Sequence, residues 1–184
     1  MPMNPEVIES DCDRLIQEME GAYLSDLESN QLEKPAIRKL LLVDKVLLKL
    51  KNPIFAGYFL DKGGLEQFHN FLKKLPDGSW PLSQVRTNVL HALLKLPYNE
   101  HHLKYTKLGK TLSALQNSKC EQEENKKIIQ EIKDKWSRIV CGVRMEYANL
   151  ENFEKENVSL MKKKRKQQGN GQRFEDQADA SDKI

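Results

Sequence analysis

The segment LPDGSWPLSQVRTNVLHALLKLP, from Leu75 to Pro97, predicts a turn and then the central helix of the fold. Pro76 fixes its own φ angle, the Asp77 side chain can bond nearby backbone groups, and Gly78 tolerates a positive φ. These three residues are therefore expected to interrupt the chain before the helix begins.

The helix after this turn is predicted to be buried on more than one side. Ser79 or Ser83 is expected to cap it, and Pro81 suits a first helical turn. Pro97 is expected to end it. Its apolar residues recur at three- and four-residue spacing and have apolar neighbours on both flanks, a stripe too wide for a surface helix. The stripe contains Val85, Val89, Leu93 and Leu96, flanked by Leu82, Leu90 and Leu94.

Length and composition indicate one domain with a substantial core. The chain has 184 residues, of which 31% are charged and 39% hydrophobic. No apolar run approaches the roughly 18 residues of a transmembrane helix. Cys12, Cys120 and Cys141 are odd in number and form no C-x-x-C motif, which is typical of a reducing compartment. A net charge of +3 does not by itself imply nucleic-acid binding.

Helical spacing prevails along the chain, and no strand-like alternation appears. We predict an all-α fold of about seven or eight short helices, paired and stacked in a superhelix. The predicted parts are an N-terminal helix packing on the core (1–29), a helical core (30–160) and a basic, then polar, disordered tail (161–184). A break is expected at Ser29-Asn30. A second helix should start at Lys34-Pro35, and its inward residues should be Ile37, Leu40, Leu41, Leu47 and Leu48.

Catalytic and metal-binding motifs are missing from the sequence, so we expect no enzyme activity, no catalytic residue, no cofactor and no metal. His101 and His102 form the only histidine pair. Neighbouring helical positions point about 100° apart, so the pair cannot hold one ion from one face. Both are expected to be partly exposed, whereas His69 and His91 are expected to be packed or surface residues.

Two basic clusters are the candidate binding features. The first is Lys162, Lys163, Lys164, Arg165 and Lys166, which can be a nuclear import signal, a phosphate-contacting arm or a solubilising tail. The second crowds the last helices: Lys104, Lys107, Lys110, Lys126, Lys127, Lys133, Lys135 and Arg138. Such charges usually form a solvated face. A cationic rim around an apolar slot would also suit an acidic peptide with aromatic anchors.

Trp136 and Arg138 have different predicted roles on the last long helix. Trp136 continues an apolar stripe with Ile128, Ile132 and Ile139, so we expect it in the core with one partner for its indole N–H. Arg138 points about 200° away from Trp136 because it is two helical residues further on. It is therefore free to pair with a carboxylate of a partner.

Three separated motifs resemble the interacts-with-Spt-six family of transcription elongation factors, which shares the N-terminal domain type of TFIIS. They are the LPDGSWP turn with its helix, HLKYTKLGKTL (His102–Leu112) and NKKIIQEIKDKWSRIV (Asn125–Val140). The similarity runs from about Leu40 to about Val143. Two positions differ: Thr106-Lys107-Leu108 replaces the usual Ser-Gly-Leu, and Ile139 stands where the family usually has proline.

The resemblance implies a non-catalytic nuclear scaffold. Its fold would be a right-handed superhelix of HEAT or armadillo type, with a C-terminal half like the TFIIS N-terminal domain. Family members bind an acidic N-terminal segment of the histone chaperone Spt-six. They thereby associate with elongating RNA polymerase II and influence chromatin and messenger-RNA processing. We expect a monomer with these partners and no membrane contact. Another TFIIS-type peptide adaptor, or direct binding of nucleic acid or nucleosomes, remains an alternative.

The resulting hypothesis places an acidic peptide over the last helices. An aromatic side chain of the peptide would fill a pocket lined by Leu112, Leu115, Ile132 and Val140. Its carboxylates would be contacted by Lys110, Lys133 and Arg138.

Overall fold

A computed structural model describes residues 5–142, and every element in this range is a helix. The helices are α1 (Pro5–Gln31), α2 (Arg38–Leu50), α3 (Pro53–Asp61), α4 (Gly64–Leu72), α5 (Ser83–Lys95), α6 (Glu100–Lys104) and α7 (Leu108–Gln116). An eighth helix, α8, follows, and its described part is 123–142. The all-α prediction is confirmed, and handedness stays a prediction. The predicted tail, with its basic cluster at 162–166, lies outside the described residues.

Two compact units divide the chain, Met1–Ile139 and Val140–Ile184. Only residues 140–142 of the second unit are described. None of the helices in the described range is long and apolar enough to cross a membrane. Because the described range ends at residue 142, the predicted three-part division of the chain stays a prediction.

The first helix forms part of the core, because its buried stripe packs along α2, α3 and α4. That stripe is Ile8, Cys12, Leu15 and Met19. The predicted break at Ser29-Asn30 is wrong, since α1 continues to Gln31. The chain turns only at Glu33, whose φ is 57°. Asn30 stays helical and uses its side chain to bond the distant residue Asp77.

The second helix begins later and shows a different face to the core than the sequence predicts. Its buried residues are Lys39, Val43 and Val46. Leu41 and Leu48, predicted to point inward, are 67% and 66% exposed. Ile37 is also exposed, whereas Leu40 and Leu47 are half-buried. The apolar residues of α2 are distributed over all of its faces, so their spacing alone does not determine which face is buried.

A carboxylate from α1 sets where α2 starts. Asp26 is fully buried, and its two oxygens accept the backbone N–H groups of Arg38 and Lys39 at 2.7 and 3.1 Å. This long-range cap satisfies donors that a helix N-terminus otherwise leaves unpaired. The predicted start at Lys34-Pro35 is therefore wrong, because the N–H groups that Asp26 caps begin at Arg38, three or four residues further on.

The turn before α5 has the predicted geometry but a different capping arrangement. Asp77 Oδ1 accepts the backbone N–H and the hydroxyl of Ser79 at 2.9 and 2.7 Å, and Gly78 has a φ of 81°. Neither Ser79 nor Ser83 caps α5, which corrects the prediction. The Ser79 hydroxyl is already bonded within the turn, and Ser83 is the first helical residue.

The central position of α5 is confirmed. It packs against α2 and α4, and its buried residues are Val85, Arg86, Val89, Leu90, Ala92 and Leu93. Leu96 is buried just beyond its end at Lys95, and Pro97 follows, as predicted.

Candidate functional site: the α7–α8 face and the α5 groove

The three apolar side chains from α7 and α8 that were predicted to line a pocket lie together in the core. Leu112, Leu115 and Ile132 have no exposed surface. They belong to the same buried core, and α7 is linked to α8 by the bonds that Gln116 makes with Gln130 and Lys133. In this arrangement a guest side chain reaches them only if the two helices separate. Val140, the fourth predicted residue, is half-buried on α8 and begins the second compact unit.

The three predicted cationic residues lie on the surface of the same helices but differ in their bonding. Lys110 is exposed on α7. Arg138 is exposed on α8, and its Nε donates to the Asp134 carbonyl oxygen at 3.2 Å. Lys133 is half-buried and donates to Gln116 Oε1 at 2.6 Å, which joins α8 to α7. Lys110 and Arg138 therefore keep most of their charge available to a partner.

Lys135 is a structural residue within the basic set. Its Nζ donates to the carbonyl oxygens of Leu94 and Leu96 at 2.9 and 2.8 Å. These carbonyls lie at the C-terminal end of α5, where a helix leaves acceptors unpaired. Partial burial lowers the pKa of Lys135. The ammonium group also lies 5.2 Å from the centre of the Tyr98 ring. Lys135 thus fastens α8 to the end of α5 and is not part of a free cationic rim.

Trp136 packs as predicted, but without the expected hydrogen bond. Its ring meets Tyr98 edge-on, with ring centres 5.7 Å apart, and it faces Gly109 on α7. Its indole nitrogen is shielded from solvent and has no hydrogen-bond partner in the described part of the chain. The Tyr98 hydroxyl donates to the Leu93 carbonyl oxygen at 2.7 Å, and burial raises its pKa well above the usual value.

A buried ion pair joins α5 to Glu121, which lies two residues before α8. Arg86 Nε donates to Glu121 Oε2 at 2.7 Å, and both side chains are almost fully buried. The Arg86 guanidinium also donates to the Pro81 carbonyl oxygen, and Glu121 Oε1 accepts from Asn125 at 2.7 Å. Neither Arg86 nor Glu121 was predicted from the sequence to be a buried charge. A lone arginine beside an apolar stripe was the available signal for a buried pair.

His102 is less exposed than predicted, with 7% of its side chain accessible. Its Nδ1 accepts the backbone N–H of Asn99 at 3.2 Å, and its Nε2 lies 2.9 Å from Asp61 Oδ1. His69 is packed, with its Nδ1 2.9 Å from the Thr111 hydroxyl, and burial lowers its pKa. Among the described residues no group of three or more potential ligands could hold a metal ion.

A separate apolar cavity of about 520 Å³, here called the α5 groove, lies among α2, α3 and α5. It is lined by Leu47, Leu50, Lys51, Pro53, Ala56, His91, Ala92, Lys95, Leu96 and Pro97. No sequence motif predicted it, because its walls come from two stretches, 47–56 and 91–97, that lie far apart along the chain.

Comparison with known proteins matches residues 88–140 to the Med26 family, a TFIIS helical bundle-like domain. IWS1 homolog 1 of Arabidopsis thaliana is 30% identical over 161 residues, covering 84% of this chain and 32% of the relative. Transcription factor IWS1 of Candida albicans is 35% identical over 130 residues, covering 71% of this chain and 32% of the relative. The chain thus spans about a third of the length of the curated relatives it matches.

A chain in the crystal structure of an Spt6–Iws1(Spn1) complex from Encephalitozoon cuniculi has a similar fold. The TM-score is 0.69 at 23% identity, and the match covers 72% of this chain and 97% of that one. The fold and the matches thus define a helical protein with a TFIIS-type C-terminal half. More particularly, this chain belongs to the interacts-with-Spt-six (IWS1) family.

Proposed function

We propose that this chain is a non-catalytic transcription elongation factor that binds an acidic segment of Spt-six. The observation that carries the proposal is its family membership: several relatives are named transcription factors, and a neighbour of the same fold was crystallised in a complex with Spt6. Through this partner the chain would act in the nucleus, on RNA polymerase II elongation, chromatin and messenger-RNA processing. The basic cluster Lys162–Lys166 would serve nuclear import.

The proposed docking surface is the outer face of α7 and α8. Lys110 and Arg138 contact carboxylates of the segment there, since both side chains are exposed and neither pairs with a carboxylate among residues 5–142. Lys133 contributes once its bond to Gln116 is exchanged for one to the segment. Leu112, Leu115 and Ile132 support this face from beneath, and they meet an aromatic anchor directly only if α7 moves away from α8.

Charge reversal tests this surface. We expect the double variant Lys110→Glu, Arg138→Asp to bind the acidic N-terminal segment of Spt-six about tenfold more weakly or worse, because like charges facing each other cost several kcal/mol. Calorimetric titration measures this affinity. The matched control is Lys34→Glu, Lys73→Asp, which makes the same charge change at two exposed lysines on other elements. Equal affinity for the variant and the control would place the segment elsewhere, and no binding by the unaltered chain would refute the function.

A second candidate function, contact with nucleic acid, is favoured by one observation. Tyr105 is 73% exposed, the Lys104 ammonium lies 5.5 Å from its ring centre, and Lys107 follows it in the chain. An exposed aromatic ring among cations is an arrangement on which a base can stack. Affinity for a single-stranded oligonucleotide that falls steeply with salt, and that Tyr105→Ala reduces, would support this function. Salt-independent or absent binding would exclude it.

A further inference from the structure

The α5 groove is an apolar cavity with a cationic mouth. Its interior walls are aliphatic, formed mainly by Leu47, Leu50, Ala56, Ala92 and Leu96. A volume of about 520 Å³ is within the range of pockets that hold small ligands, and it is ample for one large side chain. Apolar walls exclude a solvated charge, so the guest inside the groove must itself be apolar.

The charges around this cavity are all of one sign. Lys51 and Lys95 line it together with His91, and no aspartate or glutamate does. All three are exposed. The ammonium groups of Lys51 and Lys95 form no hydrogen bond or ion pair with any residue in the range 5–142. Elsewhere in that range lysines often do, as in the pairs Lys45–Glu18 and Lys126–Glu123.

From this combination we infer that the α5 groove is a second docking site, taking a short acidic peptide through one large apolar anchor side chain. The anchor fills the aliphatic interior, while carboxylates on either side of it face Lys51 and Lys95. The site is built from α2, α3 and α5, and the surface proposed for Spt-six is built from α7 and α8. The inference therefore does not depend on that function.

Helix ends give these lysines another possible role. Lys51 directly follows α2 and Lys95 is the last residue of α5, so their charges also oppose the negative ends of two helix dipoles. If the lysines act only on the helix dipoles, their substitution lowers the stability of the fold but does not change peptide binding. A thermal melt of each variant, run beside the binding assay, separates the two roles.

The probe is a short fluorescein-labelled peptide with one phenylalanine between runs of aspartate and glutamate, read by fluorescence anisotropy on the full chain. Two matched peptides carry alanine in place of the phenylalanine, or lysine in place of the acidic residues. We expect binding of the acidic phenylalanine peptide, with a loss of about tenfold or more for each matched peptide. Equal binding of all three peptides, or of none, would overturn the inference.

Variants of the chain then locate the bound peptide. We expect Lys51→Glu, Lys95→Glu to weaken binding about tenfold or more, and the control Lys34→Glu, Lys73→Glu to leave it unchanged. Ala92→Leu fills the cavity but keeps the surface charges. It therefore tests the contribution of the apolar interior separately from that of the lysines. If only Lys110→Glu, Arg138→Asp abolishes binding, the peptide occupies the α7–α8 face, and the α5 groove inference is wrong.

Crosslinking and size measurement complete the test. The probe phenylalanine is replaced by photoreactive benzoylphenylalanine, and the labelled peptide fragments of the chain are identified by mass spectrometry. Crosslinks to residues of α2, α3 or α5 support the inference, and crosslinks confined to α7 or α8 overturn it. Light scattering on the unliganded chain checks for a second copy in the groove. A dimer that Ala92→Leu abolishes would make that copy the occupant instead of a peptide.

Discussion

At the scale of single residues, Lys39 is a charge in an unfavourable place. It is 2% exposed, and its ammonium group has no hydrogen-bond partner in the described range. Burial lowers its pKa to about 8, which the charge of Asp26 only partly opposes. From an ordinary value of 10.5, such a shift corresponds to a cost of roughly 3 kcal/mol for the charged form, at about 1.36 kcal/mol per pKa unit.

The first prediction follows from the sign of this shift. Below pH 8 the folded and unfolded chains both carry the Lys39 proton, so the cost is present in full. Between pH 8 and 10.5 only the unfolded chain binds it, so the free energy of unfolding rises with pH. We therefore expect Lys39→Met to be more stable than the unaltered chain at pH 7 by about 1–3 kcal/mol, and this advantage to shrink as pH approaches 10.5.

Urea unfolding of both proteins across this pH range measures the prediction. The difference in unfolding free energy between the two proteins isolates the contribution of Lys39, because the other groups that titrate in this pH range contribute to both proteins. One such group is Cys12, whose pKa burial raises to about 11. A difference that stays constant from pH 7 to pH 10.5 would show that Lys39 keeps its proton in the fold. If the variant is less stable at pH 7, the attraction between Asp26 and the Lys39 charge outweighs the cost of burying that charge.

At the scale of helices, a boundary was predictable only where a stabilising or breaking group lies close in sequence, as at the end of α5, which stops two residues before Pro97. Asn52 caps α3 from the residue just before it, with Oδ1 accepting the N–H of Ile54 at 3.0 Å, and Pro53 is the first helical residue. The start of α2 could not be predicted, because its cap is Asp26, on another helix. The buried face of α2 was predicted wrongly for a related reason: leucines surround it, and only contact with α1 and α5 selects a side.

The second prediction concerns two glycines on neighbouring helices. A Cβ at Gly64, the first residue of α4, would lie 2.2 Å from the ring of Phe59, which is fully buried. A Cβ at Gly57, within α3, would meet nothing within 4 Å. We expect Gly64→Ala to lose about 1–3 kcal/mol, because the ring must leave its packed position. Gly57→Ala should gain up to about 1 kcal/mol, because alanine favours a helix over glycine.

Denaturant unfolding of the two variants checks these opposite signs, and each is the other's control for the same chemical change. A neutral Gly64→Ala would mean that the Phe59 ring moves aside at no cost. A destabilising Gly57→Ala would mean that helix propensity is outweighed at that position.

At the scale of the whole molecule, side-chain links join helices that are distant in sequence. The turn after α4 is held to α1 by reciprocal hydrogen bonds between Asn30 and Asp77. It is held to the loop before α8 by the Trp80 indole, which donates to the Ser118 hydroxyl at 3.1 Å. The sequence resemblance identified this turn as a marker of the family. Why the turn matters physically became visible only once its two partners, Asn30 and Ser118, were known.

These links predict that residues up to Ile139 unfold as one unit. The only two tryptophans are well placed to test this, because Trp80 reports on the turn and Trp136 on α8. α8 is joined to α5 by the Lys135 bonds to Leu94 and Leu96. It is also joined through Glu121, which lies just before α8, accepts from Asn125 of α8 and pairs with Arg86. Breaking a buried ion pair by freeing one partner costs about 3–5 kcal/mol, so α8 should not detach before the rest unfolds.

Two single-tryptophan variants make this last prediction measurable. Trp136→Phe leaves Trp80 as the fluorescent probe, and Trp80→Phe leaves Trp136. We expect the fluorescence midpoint in urea to coincide with the helical circular-dichroism midpoint within each variant, as for a two-state domain. If the Trp136 signal changes at lower urea than the helical signal, α8 separates early. The buried pair would then contribute little to holding it, and the leucines between α7 and α8 would become accessible to a guest peptide by local opening.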